Sequence, residues 1–233
     1  TPGLVFWRLW PRAGTTMGAV PSPTWELYIR PRLFAPIRAG WGTSVDVNGD
    51  GFSDLLVGAG GAHASAGRVY VYHGSASGIG STPTTVLDAP AGGEFGSSVA
   101  SAGDVDGDGY SDVVVGARAA NAAYVYRGGP SGLATTPTTT MLGAAGSELG
   151  ASVAGVGDFD LDGYGDVLVG APGTGTAYLY RGSPIGTVTS ASSTFDEHTT
   201  DPRFGESVAG AGDFTNSGYG YVAIASPSGR VYV

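Results

Sequence analysis

Cysteine is absent from this 233-residue chain, and so is lysine. The first absence excludes disulfide scaffolds, thiolate metal ligands and thiol catalysis, while leaving the compartment open. The second leaves 11 arginines against 20 acids, a formal charge of −9 that repels phosphate and argues against a nucleic-acid partner. Charge of either sign is scarce, at 13% of residues against a usual ~25%. No apolar run approaches the ~18 residues of a spanning helix, so no membrane span is expected. What is plentiful is glycine: 42 residues, which with 14 prolines make about a quarter of the chain. That level borders on low-complexity disorder, but a chain 42% hydrophobic and 10% aromatic can build a core. The composition therefore excludes a long-helix protein and points to short strands joined by tight turns. Opening at Thr1 without a methionine or a signal-peptide pattern, the chain reads as a fragment or a processed form.

Residues 1–40 stand apart. They carry five arginines, three of the four tryptophans and six prolines, with Glu26 as their only acid, whereas residues 41–233 carry 19 acids and six arginines. The prolines forbid a long helix and interrupt strands, which excludes an amphipathic membrane anchor. This segment is expected to be poorly ordered or to supply one edge strand, near 23–28.

From residue 41 the chain repeats. Asp46-Val47-Asn48-Gly49-Asp50-Gly51-Phe52-Ser53-Asp54 returns from Asp104 to Asp112, again from Asp158 to Asp166, and in decayed form from Asp213 to Tyr221, a period of about 55 residues. Upstream stand Trp41-Gly42, Phe95-Gly96, Leu149-Gly150 and Phe204-Gly205. From that glycine to the first Asp is eight residues in three copies but four in the first, which shortens a strand there. Downstream come the apolar runs Leu55–Ala59, Val113–Ala117, Val167–Ala171 and Val222–Ala225, which read as strands buried on both faces. Alternating Tyr/Val strands follow (Val69–Tyr72, Tyr124–Tyr126, Tyr178–Tyr180, Val231–Val233), and then Thr-rich segments at 84–87 and 138–142 suited to a half-exposed outer strand. The fold class is thus all-β. About three and a half four-stranded units (41–94, 95–148, 149–203, 204–233) have the period and content of β-propeller blades, and they form a partial or open ring. Either the 23–28 segment completes the last unit and closes a small ring, or the chain is part of a larger one; the blade count favours the latter.

Each nine-residue loop crowds side-chain oxygens at positions 1, 3, 5 and 9. Left alone these carboxylates repel, and a hard cation such as Ca²⁺, which takes 6–8 oxygens, removes the repulsion. Candidate ligands are Asp46, Asn48, Asp50 and Asp54; Asp104, Asp106, Asp108 and Asp112; and Asp158, Asp160, Asp162 and Asp166. The carbonyls of Phe52, Tyr110 and Tyr164 at position 7 can add to each set. Gly51, Gly109 and Gly163 allow the reversal at position 6. Asn48 keeps an oxygen but lowers the charge of loop one. An EF-hand is excluded, because it needs a bidentate Glu at position 12, where Val57, Val115 and Val169 stand. A metal-free Asx turn is the alternative for each loop, and it is preferred for the fourth, where Thr215, Ser217 and Tyr221 replace acids and Asp213 caps a turn. Three Ca²⁺ sites are expected.

These motifs resemble FG-GAP repeats, the units of the integrin α-subunit β-propeller and of many bacterial surface or secreted proteins. The name's two halves stand here as Phe95-Gly96 with Gly116-Ala117-Arg118, and as Leu149-Gly150 with Gly170-Ala171-Pro172. The resemblance covers 41–233 and implies a seven-bladed ring, calcium in blade hairpins, an extracellular or cell-surface setting, and adhesion or ligand binding. A non-catalytic calcium-binding module that holds a protein or glycan ligand through its loops is the expected function. A structural spacer, or the accessory propeller of a secreted hydrolase, is the alternative. An enzyme is not expected: the aspartates recur in every unit, whereas a catalytic pair is needed once. His63, His73 and His198 have no HxxxH or HxxE spacing and read as surface residues. Arg127 and Arg181, which follow the Tyr-rich strands at matching positions as His73 does, read as blade-edge residues.

Overall fold

The computed structural model describes residues 45–197, 201–213 and 220–233, together with the backbone of four strands nearer the N-terminus. Trp41-Gly42, His198 and residues 214–219 of the fourth loop lie outside the described residues. The chain divides into two units, Thr1–Ile37 and Arg38–Val233. In the first, β1 (Gly3–Trp7) pairs antiparallel with β4 (Trp25–Ile29), and β2 (Arg12–Ala13) with β3 (Thr16–Met17).

The second unit is a series of antiparallel sheets, each a meander in sequence order. The first holds β5 (Leu55–Ala59), β6 (Arg68–Tyr72) and β7 (Thr85–Asp88). The second holds β8 (Phe95–Gly103), β9 (Asp112–Ala117), β10 (Ala122–Tyr126) and β11 (Thr139–Leu142). The third holds β12 (Ser152–Gly157), β13 (Asp166–Ala171), β14 (Thr176–Tyr180) and β15 (Ser193–Asp196). The fourth holds β16 (Ser207–Gly212), β17 (Tyr221–Ala225) and β18 (Val231–Tyr232). These are propeller blades, and among the described residues the array is not closed.

Strand composition follows from place. The leading strands β8, β12 and β16 lie beside one another across the blades, and their Ser/Ala/Gly sequences allow that approach: a Cβ on Gly155 would meet the Ala102 backbone at 3.0 Å. The second strands β9 and β13 are buried at all six residues. Side chains alternate faces along a strand, so Val113 and Val115 pack with Val69, Val71 and Leu87 of the first blade. Val114 packs the other way, with Val153, Val167 and Val169 of the third. Each such fully buried valine contributes about 1.5–3 kcal/mol relative to exposure. The outer strand β11 alternates buried and exposed, as a Thr-rich edge should.

The paired glycines of the repeat are the points of closest approach between blades. Gly150 has φ +86, and its carbonyl covers Gly116 of the preceding blade; a Cβ on Gly116 would strike Gly150 backbone atoms, with Cα at 3.2 Å. At this same end of the strands an ion-pair network joins three blades: Glu148 to Arg118 (2.7 Å) and Arg203 (2.8 Å), and Glu206 to Arg203 (2.5 Å) and Arg118 (3.6 Å). Gly116→Ala is expected to lower the unfolding free energy by about 1–3 kcal/mol in urea melts, because overpacked backbone cannot yield. Gly61→Ala, whose Cβ meets nothing within 4 Å, is expected to change it by less than about 0.5 kcal/mol. Equal losses would show that the Gly116 contact carries no special constraint.

Candidate metal centre

In blades two and three the nine-residue loop connects the first strand to the second, β8 to β9 and β12 to β13, and in blade one it leads into β5. In blades two to four a β-bulge precedes the loop, with Gly103, Gly157 and Gly212 at φ +78, +74 and +68. A bulge of this kind re-aims the chain, here turning it into the loop whose first residue is the first Asp. Inside, the side chains at positions 1 and 5 hold the turn. Asp104 accepts from Gly109 N–H (2.7 Å) and Asp108 from Tyr110 N–H (2.9 Å); Asp158 accepts from Gly163 N–H (2.9 Å) and Asp162 from Tyr164 N–H (3.0 Å). Loop one repeats this with Asp46 to Gly51 (3.0 Å) and Asp50 to Phe52 (2.8 Å).

Carboxylate oxygens of Asp104, Asp106 and Asp108 lie within 4.8 Å of one another, and so do those of Asp158, Asp160 and Asp166. Two ligands at ~2.3–2.6 Å from a shared Ca²⁺ stand at most about 5 Å apart, so both groups fit one hard cation. Asp104 Oδ1 is buried without a hydrogen-bond partner, as a metal ligand would be. Loop one gathers Asp46, Asn48 and Asp50 by hydrogen bonds, Asn48 Nδ2 donating to Asp50 (2.9 Å).

Position 9 does a second thing, which the loop pattern does not reveal. Asp54, Asp112 and Asp166 are 9%, 0% and 0% exposed. Each accepts one N–H from position 2 of its own loop (Val47, Val105, Phe159; 2.8 Å each) and one from the glycine after the central strand (Gly74, Gly128, Gly182; 2.8–2.9 Å). It clamps three segments of the blade. In loop two the gathered oxygens are those of positions 1, 3 and 5, in loop three those of 1, 3 and 9. Burial pushes the Asp112 carboxyl up to about 7 and that of Asp166 up to about 6, against the two N–H bonds that pull each down. Asp54 and Asp104 are raised for the same first reason.

The residues after the central strands also belong to the loops, not to the blade edge. Arg127 Nε lies 2.7 Å from Asp106 Oδ2, and Arg181 Nε lies 2.8 Å from Asp160 Oδ2; both are ion pairs by distance, Arg127 Nε standing off the hydrogen-bonding line. In loop one His73 Nδ1 meets Asn48 Nδ2 at 3.3 Å and its Nε2 is buried, so His73 is no free surface residue. Successive loops are themselves joined: Ser111 N–H donates to the Asp46 carbonyl (3.0 Å) and Gly165 N–H to that of Asp104 (2.8 Å).

Two outcomes follow. In chelator, Asp112→Ala is expected to cost about 2–4 kcal/mol, since two buried N–H groups lose their acceptor, whereas Asp108→Ala costs under about 1 kcal/mol; urea melts decide, and equal losses would refute the clamp. A carboxyl raised from 3.8 to about 7 holds a proton in the folded state that the unfolded chain has lost. Stability of the cation-free protein therefore falls as pH rises from about 4 to about 7, and Asp112→Asn is expected to flatten that fall. An unchanged slope would contradict the buried-carboxylate account.

The profile described as FG-GAP-like repeat matches residues 46–115 and 104–169, together a little over half of the chain. Integrin alpha-5 of Xenopus laevis is 38% identical over 162 residues, and integrin alpha-8 of Mus musculus is 35% identical over 161; each match covers 61% of this chain. Integrin alpha-IIb of Homo sapiens is 34% identical over 157 residues, 60% of this chain. The chain spans about 15% of the length of each of these relatives. Blades, paired glycines, acidic hairpins and the matched profile agree: this chain belongs to the FG-GAP repeat family.

Proposed function

We propose that this chain is a non-catalytic β-propeller module whose blades are fastened by Ca²⁺ in the loops 46–54, 104–112 and 158–166, and that it presents its connecting loops to a protein or glycan ligand outside the cell. The observation that carries the reading is the convergence of three carboxylates to within 4.8 Å in loops two and three, with a buried unpartnered oxygen on Asp104. An all-oxygen donor set with a carbonyl available at position 7 suits calcium, which accepts irregular coordination, better than magnesium, which demands a tight octahedron. When bound, the cation supplies positive charge. The chain's own residues do the rest: positions 1 and 5 shape the turn, position 9 ties it to the central strand, and backbone bonds pass from one loop to the next. The same carboxylates recur in three successive blades, whereas a catalytic pair is needed once. Similarity to integrin α-subunits supports the extracellular ligand-binding role, because loops on a rigid scaffold are where recognition resides.

Calcium binding to the folded state alone adds RT ln(1 + [L]/Kd) of stability, so calorimetry is expected to show a higher melting temperature in calcium than in chelator. Equilibrium dialysis is expected to find three sites, two after Asp108→Ala or Asp162→Ala, and three after Asp213→Ala. Identical melting temperatures, or four sites in the parent, would contradict the proposal.

A further inference from the structure

The pairing at position 3 changes in step across the blades. Asp106 stands with Arg127, Asp160 with Arg181, and in loop one both charges vanish together, Asn48 standing with His73. Counted formally, loops two and three hold four carboxylates and one guanidinium, and loop one holds three carboxylates and a neutral pair; each nets −3. Asn48 therefore does not leave loop one short of charge, as the loop sequence alone suggests.

We infer that the arginine after the central strand of blades two and three is a built-in counter-charge that sets the cation affinity of its loop, so that Arg127 and Arg181 hold loops two and three at the strength of loop one. The inference rests on the cation-binding reading above and names its affinity-determining residues. The Asp106 side chain is 4% exposed and that of Asp160 15%, so their charges are less screened than surface carboxylates and an arginine beside them matters more, Arg127 above all. The guanidinium occupies Oδ2 of the position-3 carboxylate. It stabilises the loop when no dication is present and opposes the dication when one arrives. The next blade covers the pair: a Cβ on Gly132 would lie 2.8 Å from His73, and one on Gly186 would lie 3.3 Å from Arg127. Arg127 is accordingly the more enclosed of the two arginines, 33% exposed against 52% for Arg181, and its effect is the larger.

The test compares Arg127→Gln with Arg127→Lys in the otherwise unaltered chain. Calcium titration by calorimetry is expected to show one of the sites tightening on the order of tenfold in R127Q, from the removed unit charge beside a dication, and none in R127K. The exchange Asp106→Asn with Arg127→His, which copies loop one, is expected to return that site to within about threefold of the parent. Thermal melts add a readout that a merely structural role would not produce: R127Q melts a few degrees below the parent in chelator and gains more than the parent does on adding calcium. Should R127Q fail to fold, R181Q in loop three carries the same expectation with smaller amplitude. Calcium uptake by the parent with R127Q binding equally or more weakly overturns this inference alone; no uptake by the parent overturns it together with the cation reading.

Discussion

Four carboxylates within nine residues, one of them sealed from water, set the electrostatic problem that the rest of the blade answers. Asp112 and Asp166 are fully buried, and burial disfavours the charged form of each. Each is answered locally by two backbone N–H donors, and the open-sided carboxylates are answered by an arginine and by room for a cation. The glycine that donates to position 9 is part of the answer. A Cβ on Gly128 would lie 2.8 Å from the Val47 carbonyl of the preceding loop and 2.9 Å from Tyr110 Cβ, so only glycine lets the central strand come near enough to bond the carboxylate.

Blades are thereby joined at both ends of their strands by different means. At the loop end, backbone bonds run from each loop to the next, and Gly129 and Ser183 donate to the position-2 carbonyls of the preceding blade at 2.8 and 2.9 Å. At the other end, paired glycines bring backbones together and two glutamates are shared by two arginines. Single half-exposed ion pairs contribute little, but a network in which each side chain is already held by a neighbour loses less entropy per bond. Between the ends lies the apolar filling, supplied by strands whose alternate residues serve different blades.

Much of this was legible from the repeat. The apolar runs Val113–Ala117 and Val167–Ala171 have to be buried on both faces, and they are; Leu55–Ala59 was expected to be and is not, Leu55 and Val57 being exposed because the first blade has a described neighbour, through β8, on one side only. The Thr-rich stretch near 139–142 has to be an outer strand, and it is. The loop residues were legible as oxygen donors because four acids in register have few other uses. What escaped was whatever depends on partners distant in sequence. Arg127 and Asp106 are 21 residues apart, Asp106 in the loop before β9 and Arg127 just past β10, and nothing in either neighbourhood announces the pair. The doubling of Asp112 as clamp escaped because its second partner, Gly128, looks like an ordinary turn glycine; the recurring Tyr-Arg-Gly and Tyr-His-Gly triplets were the available signal. The bulge glycines Gly103, Gly157 and Gly212, each immediately before a first Asp, were likewise visible as a repeat but not as a shape.

The central claim is that the acidic hairpins are cages for a divalent ion. The most direct measurement is a crystal structure grown with calcium, with anomalous scattering recorded to identify the ion. The account expects one anomalous peak inside each of the loops 46–54, 104–112 and 158–166, bonded to their side-chain oxygens, and none in the loop that begins at Asp213. Loops two and three filled only by water, with their carboxylates turned outward, would contradict it.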